Sequence, residues 1–449
     1  MTGDLAKLIH EIRIETTPKE VVAKTRLCIL DFIADAVAGM GSKLPSVEII
    51  LDYVIALGTR GTSTLIGTRH KASAAEAALV NSIAGEVLEL GDGENRIIGH
   101  PGQSIVPAVF AVAERNGASG KAVLEAVLAG YEAMLFVGDV TMPMAYDRGF
   151  SASACLGNFG AAAGVSKLLG FGVEKIQDAL ALAASASGYL RSWNLTGTMD
   201  KDLMVGEATR RGVLAALLAE AGYTGTSEIL EGDLGFCRAM AGEFPSVHLK
   251  KPHLFRILDV YFKPYPSCRV THSTIDACLK LYHEHPLQPG TIERVQISTN
   301  VHGAQVAIPA PTTFVALRFS QQYAATVALL TGKASLEQFS EEYARRPEVR
   351  ELLSKSEVKL DPGFDGSWPE KYSSRVEVWL TDGRKLEETV DHPRGDLRNP
   401  MDESDVVQKA KDLMGLLFTS RQIEEIVEGT MKIEEIPEIR EFCRLTQVS

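Results

Sequence analysis

The run from Ala74 to Leu90 is apolar on almost every side of a helix, and a helix without a polar face has to be buried among others. Comparable alanine- and glycine-rich runs follow at 104–114, 120–137, 173–190 and 206–221. Ser73 followed by Glu76 predicts a capping box ahead of the Ala74 run. Another helix is predicted over 17–40, opened by Thr17-Pro18 and carrying Val22, Leu27, Ile29, Leu30 and Ile33 at helical spacing. Gly160-Ala161-Ala162-Ala163-Gly164 permits close backbone approach, so about the first 250 residues read as one compact helical domain.

Strand patterns enter only after Pro264. Val295, Ile297 and Thr299 alternate with polar residues. Val376, Val378 and Leu380 do the same before Asp382-Gly383 turns the chain back through Lys385 to Val390, a hairpin signature. The stretch from Met401 to Val427 reads as helical again, with Asp402 as its cap. The expected fold is mainly α, with an all-helical domain from 1–258 and 395–449 and a smaller α+β lid domain from 259–394. A chain of 449 residues, 45% hydrophobic, can support two such cores. Phe255 to Phe262 fits either an extended segment or a helix end, and no internal repeat is present.

Composition removes several function classes. A formal charge of −12 without a Lys/Arg cluster leaves no basic face for phosphate, so no nucleic-acid partner is expected. No stretch approaches the roughly 20 apolar residues of a membrane helix. Met1 to Ile14 carries Asp4, Lys7, Glu11 and Arg13 in place of an apolar signal core, which points to a cytoplasmic protein with no membrane partner. The six cysteines are scattered, which argues for reduced structural thiols and against a thiolate-held iron–sulfur cluster. The ten histidines show no H-E-x-x-H spacing, and the close pair His283 and His285 reads as a solvated helix end, so no metal site is expected.

Two loops carry most of the ionisable groups that chemistry needs. Leu88 to Gly102 runs from a buried helix through Glu89, Asp92, Glu94 and Arg96 to His100-Pro101-Gly102. It is either an acidic surface turn or a rigid turn holding a histidine near a carboxylate for acid–base work. Lys263-Pro264-Tyr265-Pro266-Ser267-Cys268-Arg269-Val270-Thr271-His272 lies at the domain boundary and is either a proline-rich linker or a carboxylate clamp.

These two stretches join Gly130-Tyr131-Glu132, Arg148-Gly149-Phe150, Asn158-Phe159-Gly160 and Lys167-Leu168-Leu169-Gly170 in an ordered set. Lys201 followed by Gly206-Glu207-Ala208, Glu231-Gly232, Gly235-Phe236, and Phe319-Ser320 with Tyr323 complete it. From near Leu5 to near Ser420 the set resembles the MmgE/PrpD family, the 2-methylcitrate dehydratase superfamily. The resemblance implies a large helical domain with an α+β lid, a homodimer, and an active site between the domains. It also implies chemistry without metal or cofactor on a small anionic polycarboxylate: 2-methylcitrate dehydration, cis-aconitate decarboxylation or iminodisuccinate epimerisation.

Each of these reactions moves a proton at a carbon beside a carboxylate, building charge that cations and hydrogen-bond donors must stabilise. Lys201, Lys263 and Arg269 are the candidate clamp, and His100 and His272, at family motif positions, the acid–base pair. Asp92 is placed to orient His100 or fix its protonation state. Tyr146 and Tyr323 are candidate phenolic donors, each with a buried structural role as the alternative. Ser151 directly follows Gly149-Phe150, where dehydrating and decarboxylating relatives commonly have histidine, and the acidic loop lacks the paired aspartates of many relatives. Those departures make Ser151 a substrate-binding candidate and give Tyr146 a claim on proton transfer.

The expected activity is a metal-independent hydro-lyase of 2-methylcitrate dehydratase type, with an iminodisuccinate-type epimerase or tautomerase as the alternative and a cis-aconitate decarboxylase third. A non-catalytic helical scaffold would leave His100, Lys201, Lys263, Arg269 and His272 dispersed.

Overall fold

A computed structural model describes residues 1–242, 255–285 and 287–448. The apolar runs become α1 (Thr2–Glu11), α2 (Lys19–Gly41), α3 (Pro45–Leu57), α4 (Ala74–Glu86), α5 (Gly102–Asn116) and α6 (Gly120–Thr141). They continue as α7 (Met144–Asp147), α8 (Ala152–Leu168), α9 (Val173–Ala184), α10 (Asp200–Glu220) and α11 (Phe236–Ala241), with a short antiparallel pair β1 (Ser63–Thr64) and β2 (Lys71–Ala72). Then come α12 (His272–Glu284), β3 (Ile292–Thr299), α13 (Val301–Gln305), α14 (Phe314–Arg318), α15 (Gln321–Thr331), α16 (Glu341–Ala344) and α17 (Pro347–Ser354). Strands β4 (Ser356–Leu360), β5 (Ser374–Leu380) and β6 (Lys385–Val390) precede α18 (Glu403–Met414), α19 (Ser420–Met431) and α20 (Ile439–Leu445).

Helix α4 is buried along its whole length except at Ala75, as its lack of a polar face requires. It packs on α2, α5 and α10, while α8 packs on α6 and α10. Gly130 permits the α6–α8 crossing, because a Cβ there would fall 2.8 Å from the Gly160 carbonyl oxygen. The predicted capping box at Ser73 does not form: Ser73 occupies the N-cap without a side-chain bond, and Glu76 instead pairs with Arg210 at 2.9 Å. The run at 173–190 is helical only to Ala184, and the stretch Met401 to Val427 divides into α18 and α19. Asp402 caps α18 as expected, accepting from the Asp405 amide.

The larger sheet has the order β4-β3-β5-β6, parallel between β3 and β4 and antiparallel elsewhere. Val295 faces Val378 and Ile297 faces Val376 across the β3–β5 pair. With Ile275 and Cys278 of α12 and Ala324 and Ala328 of α15 they form a second core. The first core gathers the N-terminal helices with Val406, Ala410, Ile426 and Phe442 of the last three helices. The chain passes from the first core at Phe262 to the second at Ile275, so the Lys263–His272 segment lies where the two meet. Among the described residues no helix is long and apolar enough to cross a membrane.

Candidate active site

A cleft with an atom-free volume of about 800 Å³, its open mouth included, opens beside that junction. This is the size of a small-molecule site. Its walls come from the end of α4, the loop to α5, the start of α8, the first turn of α10 and the segment from Tyr261 to Val270, with His302 and Trp368 at the far side.

The acidic loop is not a surface turn; Glu86, Glu89 and Asp92 are each at most 3% exposed. Glu89 adopts a left-handed backbone with φ of 56°, a conformation that costs a non-glycine residue roughly 1–3 kcal/mol and that the surrounding packing must enforce. Gly91 allows the close passage that follows, since a Cβ there would overlap the Gln103 amide at 1.8 Å. Beyond it Gly93 exchanges both backbone hydrogen bonds with Tyr261, at 3.0 and 2.8 Å.

His100 projects into the cleft with Nδ1 2.7 Å from the Asp92 carbonyl oxygen. A carbonyl only accepts, so Nδ1 carries the proton and Nε2 is left as an unprotonated nitrogen. Burial, then the charge of Lys263, pushes the imidazole pKa down to about 3, which keeps the ring neutral. The Asp92 carboxylate turns away from the cleft, accepting from the Tyr131 hydroxyl at 2.6 Å and the Gly102 amide at 3.0 Å. Burial and then the nearby Asp31 raise its pKa to about 6. Asp92 therefore orients His100, but through its backbone carbonyl and not its side chain.

Lys201 is 4% exposed, with its ammonium 2.8 Å from Glu86, in direct contact with Glu89 and 3.7 Å from Asp202. Lys263 takes the other oxygen of Glu89 at 3.0 Å. Burial alone would raise the Glu89 carboxyl, but the two lysines outweigh it and hold the group well below the usual carboxylate range. Glu86 has one lysine and a charged neighbour, so burial wins and its carboxyl is raised.

The same cleft also holds an anion-receptive corner. Ser151 occupies the N-cap of α8 without a side-chain cap bond, and the Ala152, Ser153 and Ala154 amides have no acceptor among the described residues. A buried helix start with free amides suits a carboxylate. Ser151 and Arg191 are brought together by backbone pairing of 149–151 with 189–191, Ser151 to Tyr189 at 2.8 Å and Arg191 to Gly149 at 2.9 Å. The Arg191 guanidinium lies 3.9 Å from the Tyr146 ring centroid and 3.3 Å from the Gln305 side-chain oxygen. Among the described cations lining the cleft, Arg191 is the one with no carboxylate partner, because Arg269 pairs with Asp396 at 2.9 Å and Lys201 with Glu86. Tyr146 is held protonated, burial pushing its pKa up to about 12, and its ring adjoins His302, which stacks on Trp368 at 3.7 Å. Among the described residues no group of three His, Cys, Asp or Glu side chains is placed to hold a metal ion.

Two family models cover the chain, the MmgE/PrpD N-terminal domain over residues 3–247 and the MmgE/PrpD C-terminal domain over 265–432. The chain belongs to the MmgE/PrpD family. It is similar to cis-aconitate decarboxylase of Aspergillus terreus, 26% identical across 99% of this chain and 95% of the relative. It is also similar to the Homo sapiens cis-aconitate decarboxylase, 27% identical across 97% and 92%. The 2-methylcitrate dehydratase of Salmonella typhimurium is 27% identical across 77% of each chain. These MmgE/PrpD relatives are lyases.

Of the residues expected from the MmgE/PrpD resemblance, the structure brings His100, Tyr146, Ser151, Lys201 and Arg269 to one cleft. Lys263 stays behind it, 1% exposed, paired with Glu89 and close enough for its charge to act on His100. His272 is fully buried at the start of α12, its Nε2 3.0 Å from the Ser267 carbonyl, and does not line the cleft. Tyr323 belongs to the second core, where its hydroxyl donates to the Gln338 carbonyl. Each of the three expected clamp cations, Lys201, Lys263 and Arg269, is also paired with an internal carboxylate. Arg191, Glu86, His302 and Trp368 were not foreseen. Glu86 and Glu89 had a readable signal: two carboxylates on one side of an otherwise apolar buried run are costly unless they serve a site.

Proposed function

We propose that this member of the MmgE/PrpD family transfers a proton at a carbon beside a carboxylate of a small polycarboxylic acid, and that its reaction is a dehydration of the 2-methylcitrate dehydratase kind. The observation that carries this reading is an unprotonated His100 Nε2 in the same cleft as the start of α8 and as Arg191, which has no carboxylate partner among the described residues. A substrate carboxylate bound by the Ala152–Ala154 amides and Arg191 would receive the charge that builds as His100 removes the neighbouring proton. The C–H electron pair forms the new double bond, the C–O bond breaks, and Glu86, whose carboxyl is raised, supplies a proton so that hydroxide leaves as water. Positioned proton transfer of this kind contributes about 10²–10⁴-fold in rate.

An epimerase acting on an amino- or imino-dicarboxylate is the second reading, favoured by Glu86 and Glu89 on the cleft wall and by Ser151 after Gly149-Phe150. Carboxylates there suit a substrate nitrogen better than a third carboxylate, and Tyr146 with His100 would supply two proton-transfer groups. The decarboxylase relatives make loss of carbon dioxide from cis-aconitate a third outcome. Chelator-treated enzyme in deuterated water with 2-methylcitrate, citrate, cis-aconitate and iminodisuccinate isomers separates them by proton NMR. New olefinic signals from the hydroxy acids support dehydration, and isomer interconversion with α-deuteration and no olefin replaces it with epimerisation. Itaconate-type methylene signals from cis-aconitate replace it with decarboxylation.

A further inference from the structure

The Lys409 ammonium, on α18, is 9% exposed and lies 2.7 Å from the Leu90 carbonyl oxygen, the residue after the left-handed Glu89. It also meets Asp31 at 2.7 Å and Asp35 at 3.6 Å on α2. Asp35 in turn accepts from the Gln103 side chain at 3.2 Å, in the first turn of α5 just past His100. One buried cation from the last part of the chain therefore ties together both ends of the loop that carries Glu89 and His100.

We infer that Lys409 is a positioning residue for this loop: its bond to the Leu90 carbonyl holds Glu89 against Lys201 and keeps His100 in its dry seat. The inference rests on the reading of the cleft as an active site. A backbone turn held at a positive φ on a non-glycine residue relaxes when its restraint goes, and the Leu90 carbonyl has no other side-chain partner among the described residues. Relaxation would admit water to the loop and lift the desolvation that keeps His100 neutral. Loss of one positive charge nearby acts in the same direction. Asp31 and Asp35, whose carboxyls burial already raises, can take up protons when the lysine is gone, which favours a folded variant.

The test compares the full-length Lys409→Met protein with Ile426→Ala, a cavity variant in α19 that weakens the same core without touching the loop. Lys409→Met is expected to speed hydrogen exchange of the 88–93 amides at least tenfold and to move the His100 imidazole titration up by one pH unit or more. Ile426→Ala should change neither below its melting temperature, and Lys409→Arg should restore part of both. Both measurements are made without substrate, so a mistaken substrate class leaves them interpretable. Loop exchange and His100 titration that stay as in the parent protein, or that change equally in Ile426→Ala, overturn the inference. If Lys409→Met does not accumulate as folded protein, Lys409→Gln, which keeps a donor but no charge, is read by the same criteria, with the titration shift expected and its absence again overturning the inference.

Discussion

His100 directs Nδ1 at the Asp92 carbonyl oxygen, 2.7 Å away, and this contact fixes the imidazole as a neutral ring with a free Nε2. The protonated form is disfavoured in the folded chain, where the pKa is about 3, but not in the unfolded chain, where it is near 6.5. The stability that follows is full above about pH 6.5 and is lost as pH falls toward 3, at up to about 1.4 kcal/mol per pH unit. Thermal unfolding of His100→Gln should therefore lose less between pH 7 and pH 4.5 than the parent protein does. Parallel pH profiles would contradict the neutral ring.

Arg191 has no carboxylate partner among the described residues, so its loss should act on binding. Arg191→Gln is expected to raise KM about 10- to 100-fold, the worth of one charge-assisted hydrogen bond, with the melting temperature little changed. Steady-state kinetics on the acid that is turned over checks this.

Glu89 and Glu86 should separate in stability. Glu89→Gln leaves Lys201 and Lys263 buried with too little negative charge and is expected to cost about 3–5 kcal/mol. Glu86→Gln removes a carboxyl that burial already raises, and should cost about 1–2 kcal/mol while lowering kcat. Denaturant unfolding of the two variants decides between this order and its reverse.

Tyr146 separates the two leading reactions. As part of the cleft wall in a dehydratase, Tyr146→Phe should keep kcat within about tenfold, whereas a proton-transferring phenol would lose about 10²-fold or more.

Much of this architecture was readable because burial and periodicity are local properties. A run such as Ala74–Leu90, apolar all round, has nowhere to lie but in a core, and Asp382-Gly383 between alternating segments leaves little choice but a hairpin. Ser73 misled because the side chain that would complete its box is taken by Arg210, far along the sequence. Strand β4 escaped notice because its outer residues are only half buried or exposed, so no clean alternation marks it. In the site, His100 stood out because Pro101-Gly102 follows it. Arg191 did not, since its place depends on pairing of 189–191 with 149–151, which no spacing encodes. Tyr323 and His272 lie off the cleft because the packing around them turns the Tyr323 hydroxyl to the Gln338 carbonyl and His272 Nε2 to the Ser267 carbonyl, contacts that no spacing encodes.

Whether His100 is the base is decided by deuterium wash-in from solvent at the carbon beside a substrate carboxylate, followed by NMR for the parent enzyme and His100→Gln on the acid that is turned over. Rapid wash-in by the parent is expected, with a loss of about 10²-fold or more in the variant while Arg191-dependent binding persists. Equal wash-in by the two proteins would contradict His100 as the base.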